Sequence, residues 1–408
     1  MILSTRRSFI HGGAALAGAA TLGMPSILRA QSGKPVKVGV LGDFSTAYAS
    51  VGGPALLEAV RMAVEDAGGS ALGKPVEVVS ADTQLKPDLA STIARSWFDV
   101  DGVDVITDLP TSAMTFAVMD LARERKKIVL ATSASSSDIT GPRCSPYVAH
   151  WVYDTYSIAH STASALVKQG AKTWFFITQD TVAGTISEKD VTDVIKSSGG
   201  RVLGSVRVPN NSNDYSSFIL QAQGSKADVI VYSVAGADAV RAVKQASEFG
   251  VMKGGQRMIG TYTMPDDIKA MGLDVAQGLI YATAFDWNLN DETRAYSHRF
   301  LARTGKMPNM NMAGSYSAVL SYLKAVEAAG NRDADQVMAK LRGMTLNDVF
   351  VKNGKLREDG RMAHGMYVME AKAPSQSTGE WDLAKVLAEV STETAVRPLA
   401  AGNCPLVK

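Results

Sequence analysis

The sequence predicts an α/β protein of two doubly wound parallel-sheet lobes, joined by several hinge crossovers, with a ligand cleft between them. Three observations carry this. Apolar runs of four to six residues alternate with helical stretches, which is the pattern of βαβ units. The alternation runs in two blocks, separated by a Ser-, Pro- and Gly-rich pause over 131–153. After Phe285 it gives way to a helical tail too short for a third domain, which therefore completes the first two.

In the first block, Val36–Leu41 is a short apolar strand. Pro54–Ala67 follows as a helix, with Leu57, Val60, Ala63, Val64 and Ala67 on one face. Strand Val76–Val79, a helix over Pro87–Phe98, strand Val103–Ile106, a helix over Ser112–Arg123 and strand Ile128–Leu130 continue it. The stretch from Ala131 to Tyr153 reads as a long connection without a strand.

The second block begins with a helix over Thr155–Lys168 and strand Trp174–Ile177. It continues with a helix over Val182–Ser198, strand Val202–Val208 and a helix over Tyr215–Gln223. Strand Val229–Tyr232, a helix over Asp238–Phe249, and strands Met258–Ile259 and Leu279–Tyr281 close it. In the tail, helices fit Glu292–Arg303, Ala313–Ala329 and Ala334–Leu341, with strands at Val349–Val351 and Met366–Met369. The expected lobes are 34–152 with 286–364, and 153–285 with 365–392, followed by a C-terminal tail over 393–408.

The N-terminus carries Ser4-Thr5-Arg6-Arg7-Ser8-Phe9-Ile10, a small-residue apolar run from Gly12 to Gly23, then Leu28-Arg29-Ala30. Paired arginines before a soft apolar run predict a twin-arginine export signal over 1–30, cleaved after Ala30, and a periplasmic location. The net charge is +2, and residues 1–30 hold three arginines and no acid, so Gln31–Lys408 carries −1. A near-neutral body argues against nucleic acid. No second apolar run reaches membrane-spanning length. The two cysteines, Cys144 and Cys404, admit one bridge or two free thiols. In an oxidising compartment the bridge is expected, worth about 3–5 kcal/mol in the chain-entropy model.

Catalytic motifs are absent. Gly68–Lys74 has the spacing of a phosphate loop, but Pro75 stands where Ser or Thr must hold magnesium. The order is also helix, loop, strand, the reverse of what that loop needs, so it reads as a helix cap and turn. No dinucleotide fingerprint and no nucleophile elbow occurs, and His150, His160, His298 and His364 lack zinc-site spacing. Neither a cofactor nor a metal is expected, while a catalytic carboxylate pair needs no local motif and stays open; the reading as a binding protein, not an enzyme, comes with the family resemblance given below.

Ligands of open α/β sheets sit off the carboxyl ends of the strands. After Val103–Ile106 come Asp108, Leu109, Pro110, Thr111 and Ser112; after Ile128–Leu130 come Thr132, Ser133, Ala134, Ser135, Ser136 and Ser137. These hydroxyls either cap helices or donate to a ligand carboxylate beside backbone N–H groups. Aromatic residues near the junctions supply an apolar wall: Tyr48, Trp151, Tyr153, Tyr156 and Tyr262. Asp154 is expected to cap the helix from Thr155.

Several markers then appear in a fixed order. Lys37-Val38-Gly39-Val40-Leu41 precedes Gly52-Gly53-Pro54 and the helix over Glu58–Asp66. The Thr111-Ser112 turn, the Ala131–Ser137 hydroxyl stretch, and Val229–Tyr232 before Gln245-Ala246 follow. The chain resembles the periplasmic solute-binding proteins of ABC importers, in the branched-chain amino acid (leucine/isoleucine/valine-binding) group. The resemblance covers nearly all of residues 35–370 and implies a type I binding-protein fold that closes on an amino acid or related carboxylate. Thr111 and Ser133 to Ser135 match the positions that bind the ligand carboxylate. Where amino-acid binders of the group place an acid for the ligand ammonium, after Ile259-Gly260, this chain has Thr261-Tyr262-Thr263. The second-lobe tyrosine expected after Asp180 is replaced near Val182-Ala183. An unpaired buried ammonium is costly, which points away from an ordinary α-amino acid. His150–Tyr156 and the ending Cys404-Pro405-Leu406-Val407-Lys408 resemble a subgroup that handles aromatic acids.

The resemblance implies a monomer that delivers a small carboxylate, an amino acid or more readily an aromatic or apolar acid, to ABC permease and ATPase subunits. The expected ligand residues are Tyr48, Thr111, Ser112, Ser133, Ala134, Ser135, Tyr156 and Tyr262. The alternatives are a periplasmic sensor of the same fold and an exported enzyme with a carboxylate site.

Overall fold

Alternate residues of the first strands point into different apolar layers. Val38 and Val40 face one core while Leu41 faces another; Val105 and Ile106 divide the same way. Burial on both faces is what a parallel sheet between two helix layers requires. The computed structural model describes residues 34–407, so the twin-arginine reading lies outside the described residues. Its first sheet holds β1 (Lys37–Gly42), β2 (Glu77–Asp82), β3 (Val105–Asp108), β4 (Ile128–Ala131) and β5 (Val148–His150) in the order β2-β1-β3-β4-β5. All four pairings are parallel.

The second sheet repeats the design. It holds β6 (Thr173–Gln179), β7 (Arg201–Val208), β8 (Val229–Ala235), β9 (Arg257–Tyr262) and β10 (Ile280–Thr283), ordered β7-β6-β8-β9-β10 and parallel. Two antiparallel strands, β11 (Met366–Ala371) and β12 (Ala384–Val390), extend it beyond β10. Phe175 and Ile177 face one core, Trp174 and Phe176 the other.

The α-helices of seven residues or more are α1 (Gly53–Asp66), α2 (Pro87–Ser96), α3 (Ser112–Arg125), α4 (Thr155–Lys168), α5 (Val182–Ser197), α6 (Ser216–Gly224), α7 (Gly236–Glu248), α8 (Pro265–Met271), α9 (Asp291–Thr304), α10 (Met310–Ala329) and α11 (Ala334–Gly343). Asp154 caps α4 as expected: its carboxylate accepts from the Ser157 N–H at 2.6 Å, and the Ser157 hydroxyl accepts in return from the Asp154 N–H. The tail helix α10 packs on α1, and Arg299 and Arg303 of α9 pair with Asp66, Glu58 and Glu65 of α1. Among the described residues, no helix is long and apolar enough to cross a membrane.

Three local expectations are corrected. The segment 131–153 contains β5, which pairs with β4 and draws the Ser- and Pro-rich stretch against the sheet. Val349–Val351 is not a strand, because the Asp348 carboxylate accepts from the Phe350 and Val351 N–H groups and folds the trio into a turn. Strand β12 sits in a stretch the sequence left without an element. The Gly68–Lys74 motif is a cap followed by a tight hairpin: Leu72 and Gly73, both at positive φ, join Ser70–Ala71 to Lys74–Pro75.

Cys144 and Cys404 are bonded, with Cα atoms 5.6 Å apart. The bond ties the C-terminal tail beside the end of the first sheet, where Arg397 also donates to the Ser137 carbonyl at 2.8 Å. Reduction, or paired Cys144→Ser and Cys404→Ser substitution, is expected to lower stability by about 3–5 kcal/mol. Urea unfolding with and without reductant measures this; superimposable curves would show the bond contributes nothing.

Candidate ligand-binding site

The carboxyl ends of both sheets open onto one cavity of about 380 Å³. Topology puts it there. In a doubly wound sheet, the loops on either side of the switch point diverge to opposite faces and leave a crevice. In the first sheet that point lies between β1 and β3; the loop after β1 supplies Asp43 and Tyr48, and the end of β3 supplies Asp108. In the second it lies between β6 and β8, whose ends supply Gln179 and Ala235, with Asp180 and Gly236 directly after them.

Of the residues expected from the sequence, Tyr48, Thr111, Ser112, Ser133, Ser135 and Tyr262 line the cavity. Ala134 lies behind the lining, where its carbonyl meets His150 Nε2 at 2.8 Å. Tyr156 is directed elsewhere by helical phase: it occupies the first turn of α4 and stacks on His160 one turn later, with centroids 3.6 Å apart. The junction hydroxyls serve the backbone first. Thr111 caps α3 by accepting from the Met114 N–H at 3.3 Å, and Ser112 Oγ accepts from the Ser136 N–H at 3.2 Å. Each keeps its hydroxyl proton for another acceptor. Ser133 Oγ is buried without a partner.

The apolar wall comes from Tyr48, Val51, Leu85, Pro110, Val182 and Met264. Burial, with help from Asp238 and Asp43, pushes the Tyr48 phenol up to about 12, so it stays a neutral donor. Tyr262 donates to the Ala183 carbonyl at 2.8 Å, and Tyr153 donates to the Ser133 carbonyl at 3.1 Å.

Sequence reasoning missed the polar groups that matter most here. Asp108, read only as the start of a hydroxyl-rich junction, is buried and lines the cavity. Asn311, from the first turn of α10, also lines it, and its Oδ1 is buried without a partner. Gln179 is held by bonds from its Nε2 to Asn210 Oδ1 at 2.8 Å and Asp238 Oδ2 at 2.7 Å. Thr261 and Thr263 stay out of the lining, and no Lys, Arg or His is part of it. The lining is therefore apolar with carboxylates, hydroxyls and amides, and has no cationic side chain.

The two halves touch around the cavity. The Ala237 N–H donates to the Ala47 carbonyl at 3.3 Å, and Asn309 Nδ2 joins the Val51 carbonyl (2.9 Å) to Asp266 (2.7 Å).

The periplasmic binding protein family matches residues 35–379. A solved periplasmic binding protein from Burkholderia mallei is 43% identical, with a TM-score of 0.88, over 92% of this chain and 99% of its own. A branched-chain amino acid ABC transporter periplasmic ligand-binding protein from Burkholderia xenovorans is 41% identical, with a TM-score of 0.84, over 91% of this chain and 100% of its own. Among curated proteins, the Leu/Ile/Val-binding protein homolog 6 of Brucella melitensis is 24% identical, over 76% of this chain and 80% of its own.

Proposed function

The chain belongs to the periplasmic binding protein family, and from that premise we propose that it is the substrate-binding subunit of an ABC importer. It captures a small carboxylate, an amino acid or an aromatic or other apolar acid, and presents the closed form to a membrane permease. It acts as a monomer and does no chemistry on its ligand. The lobes are 34–152 with 286–364, and 153–285 with 365–392. Export through the twin-arginine signal over 1–30 places it in the periplasm.

One observation carries this reading: a single cavity is walled by strand ends of both sheets, so a ligand there contacts both halves. Ligand binding then favours the closed arrangement by the differential contact it makes with it. The α3 N-terminus and the hydroxyls of Thr111, Ser112, Ser133 and Ser135 suit a carboxylate, and the tyrosine-rich wall suits an apolar body. The resemblance of the B. xenovorans relative, named for branched-chain amino acid transport, supports the same class.

Calorimetric titration with leucine and with benzoate-type acids tests the ligand class, and small-angle scattering tests closure. Micromolar binding with contraction is expected; binding of none of these acids overturns the reading.

Gly236 is the place to block closure. Its φ is +59°, and a Cβ there would meet the Ala47 carbonyl at 2.5 Å and the Tyr48 ring at 2.7 Å. Gly236→Val is expected to fold, with a lower melting temperature, and to lose affinity by roughly tenfold or more because the closed form is less populated. Unchanged affinity in calorimetry would show that this contact does not control closure.

A further inference from the structure

Asp108 ends β3 at the switch point, and its carboxylate accepts no hydrogen bond of normal geometry from the protein. It is 1% exposed, it lines the cavity, and neither Oδ1 nor Oδ2 accepts a hydrogen bond. Ser133 Oγ lies beside it and eases its burial, without a hydrogen bond of normal geometry. Buried polar groups without partners are rare and costly, so each one requires an explanation.

The group is buried in the cavity wall, and the backbone and a neighbouring glycine set where it lies. The chain takes positive φ at both Asp108 (80°) and Leu109 (59°), an unfavourable pair for residues other than glycine. Gly42 on β1 gives the carboxylate room, because a Cβ at that position would stand 2.4 Å from Asp108 Oδ2. Asp43, the neighbouring acid, is already spent: it accepts from the Thr46 and Tyr48 N–H groups and the Thr46 hydroxyl. No cationic side chain lines the cavity. Two more unpaired polar atoms, Ser133 Oγ and Asn311 Oδ1, belong to the same lining.

We propose that Asp108 is a specificity-determining residue whose carboxyl group receives an N–H or O–H donor of the ligand, so that the captured acid carries such a donor. The inference rests on the carboxylate-binding reading above and narrows it. An ammonium beside the ligand carboxylate and a hydroxyl on an apolar acid both supply the donor. Either one completes the acceptors that the protein leaves unmatched. It also meets the objection raised by Thr261-Tyr262-Thr263, since the acid for an ammonium is found on the first sheet instead of the second.

Two matched pairs test this by calorimetry: leucine against 4-methylpentanoate for the amino source, and 4-hydroxybenzoate against benzoate for the hydroxyl source. In at least one pair the donor-bearing member is expected to bind at least tenfold more tightly, and the pair that does so identifies the source. Asp108→Asn, which keeps the shape and tolerates positive φ, should reduce that ratio to below threefold. Equal binding within both pairs leaves the carboxylate reading standing and overturns the role of Asp108. A ratio unchanged in the variant also overturns it, as does proton uptake on binding benzoate, which would mean a shared proton between two carboxyl groups. Failure of all four acids to bind removes the carboxylate reading and this inference with it.

Discussion

Asp108→Asn is expected to gain about 4 kcal/mol in stability on its parent between pH 4 and pH 8, both measured without ligand. Burial pushes the Asp108 carboxyl from its ordinary 3.8 up to about 7, against the nearby Ser133 hydroxyl and with Asp43 adding to the rise. The charged group facing it is Asp43, and the titratable phenol that feels it is Tyr153. Below pH 4 the carboxyl is protonated in both the folded and the unfolded chain, and it costs nothing. Between pH 4 and 7 the unfolded chain ionises while the folded one holds its proton, so stability falls as pH rises. Above pH 7 both are ionised and the penalty is constant. A displacement of about three pH units corresponds to about 4 kcal/mol. The asparagine variant has no such penalty.

Other buried groups titrate over the same range. His150 and His364 are both pushed down to about 4 by burial, with Arg361 adding to it, and Asp267 is pushed up to about 8 by burial. They are common to both proteins and cancel in the difference. Urea unfolding at pH 4, 6 and 8 measures it. Parallel stability curves would mean that Asp108 is solvated or partnered in solution. With the binding test, the expected outcome is a variant that is more stable and less discriminating, as when a site keeps a polar group its fold does not need.

The sequence made the repeating architecture legible because its period is local: four to six apolar residues, then a helical stretch, twice over. It made the site only partly legible. Tyr48, Thr111 and Tyr262 could be found because they follow strands, and the carboxyl end of a strand is a position in sequence. Tyr156 could not be separated from Tyr153 in the same way, since the start of α4 at Thr155 decides it: Tyr153, ahead of the helix cap, lines the cavity, while Tyr156, inside the first turn, stacks on His160. Asp108 was visible as a residue and hidden as a function. Whether a carboxylate is partnered depends on Gly42, Ser133 and Asp43, which come from other strand ends. Val148–His150 was missed because a three-residue strand between serines and prolines has no periodicity of its own, and only its pairing with β4 defines it. The Cys144–Cys404 bond was open on count alone and is decided by the return of the tail.

Arg361→Met is expected to destabilise the protein by about 3–5 kcal/mol, because it leaves a buried carboxylate alone. Arg361 is 1% exposed and sits where the chain crosses between the sheets. Its Nη1 donates to the His150 carbonyl at 3.1 Å, and its Nε lies 3.2 Å from Asp154 Oδ2 as a charge contact. The partner strand is fixed from the other side, where the His150 N–H donates to the Gly360 carbonyl at 2.8 Å and His364 Nε2 meets the Trp151 carbonyl at 3.0 Å. Burial pushes the Asp154 carboxyl up, but Arg361 and His150 outweigh it and hold it below the ordinary value. Asp154 also caps α4, so the pair joins the crossover to the first helix of the second half. Methionine fills much of the arginine's volume, so the loss is electrostatic and not a cavity. The decisive comparison is the double variant with Asp154→Asn. Asparagine still caps a helix and carries no charge, so it should recover most of the loss. A double variant no more stable than Arg361→Met alone would show that the guanidinium acts through its bonds to the crossover carbonyls. In that case the crossover, rather than the ion pair, is what holds the two sheets in register.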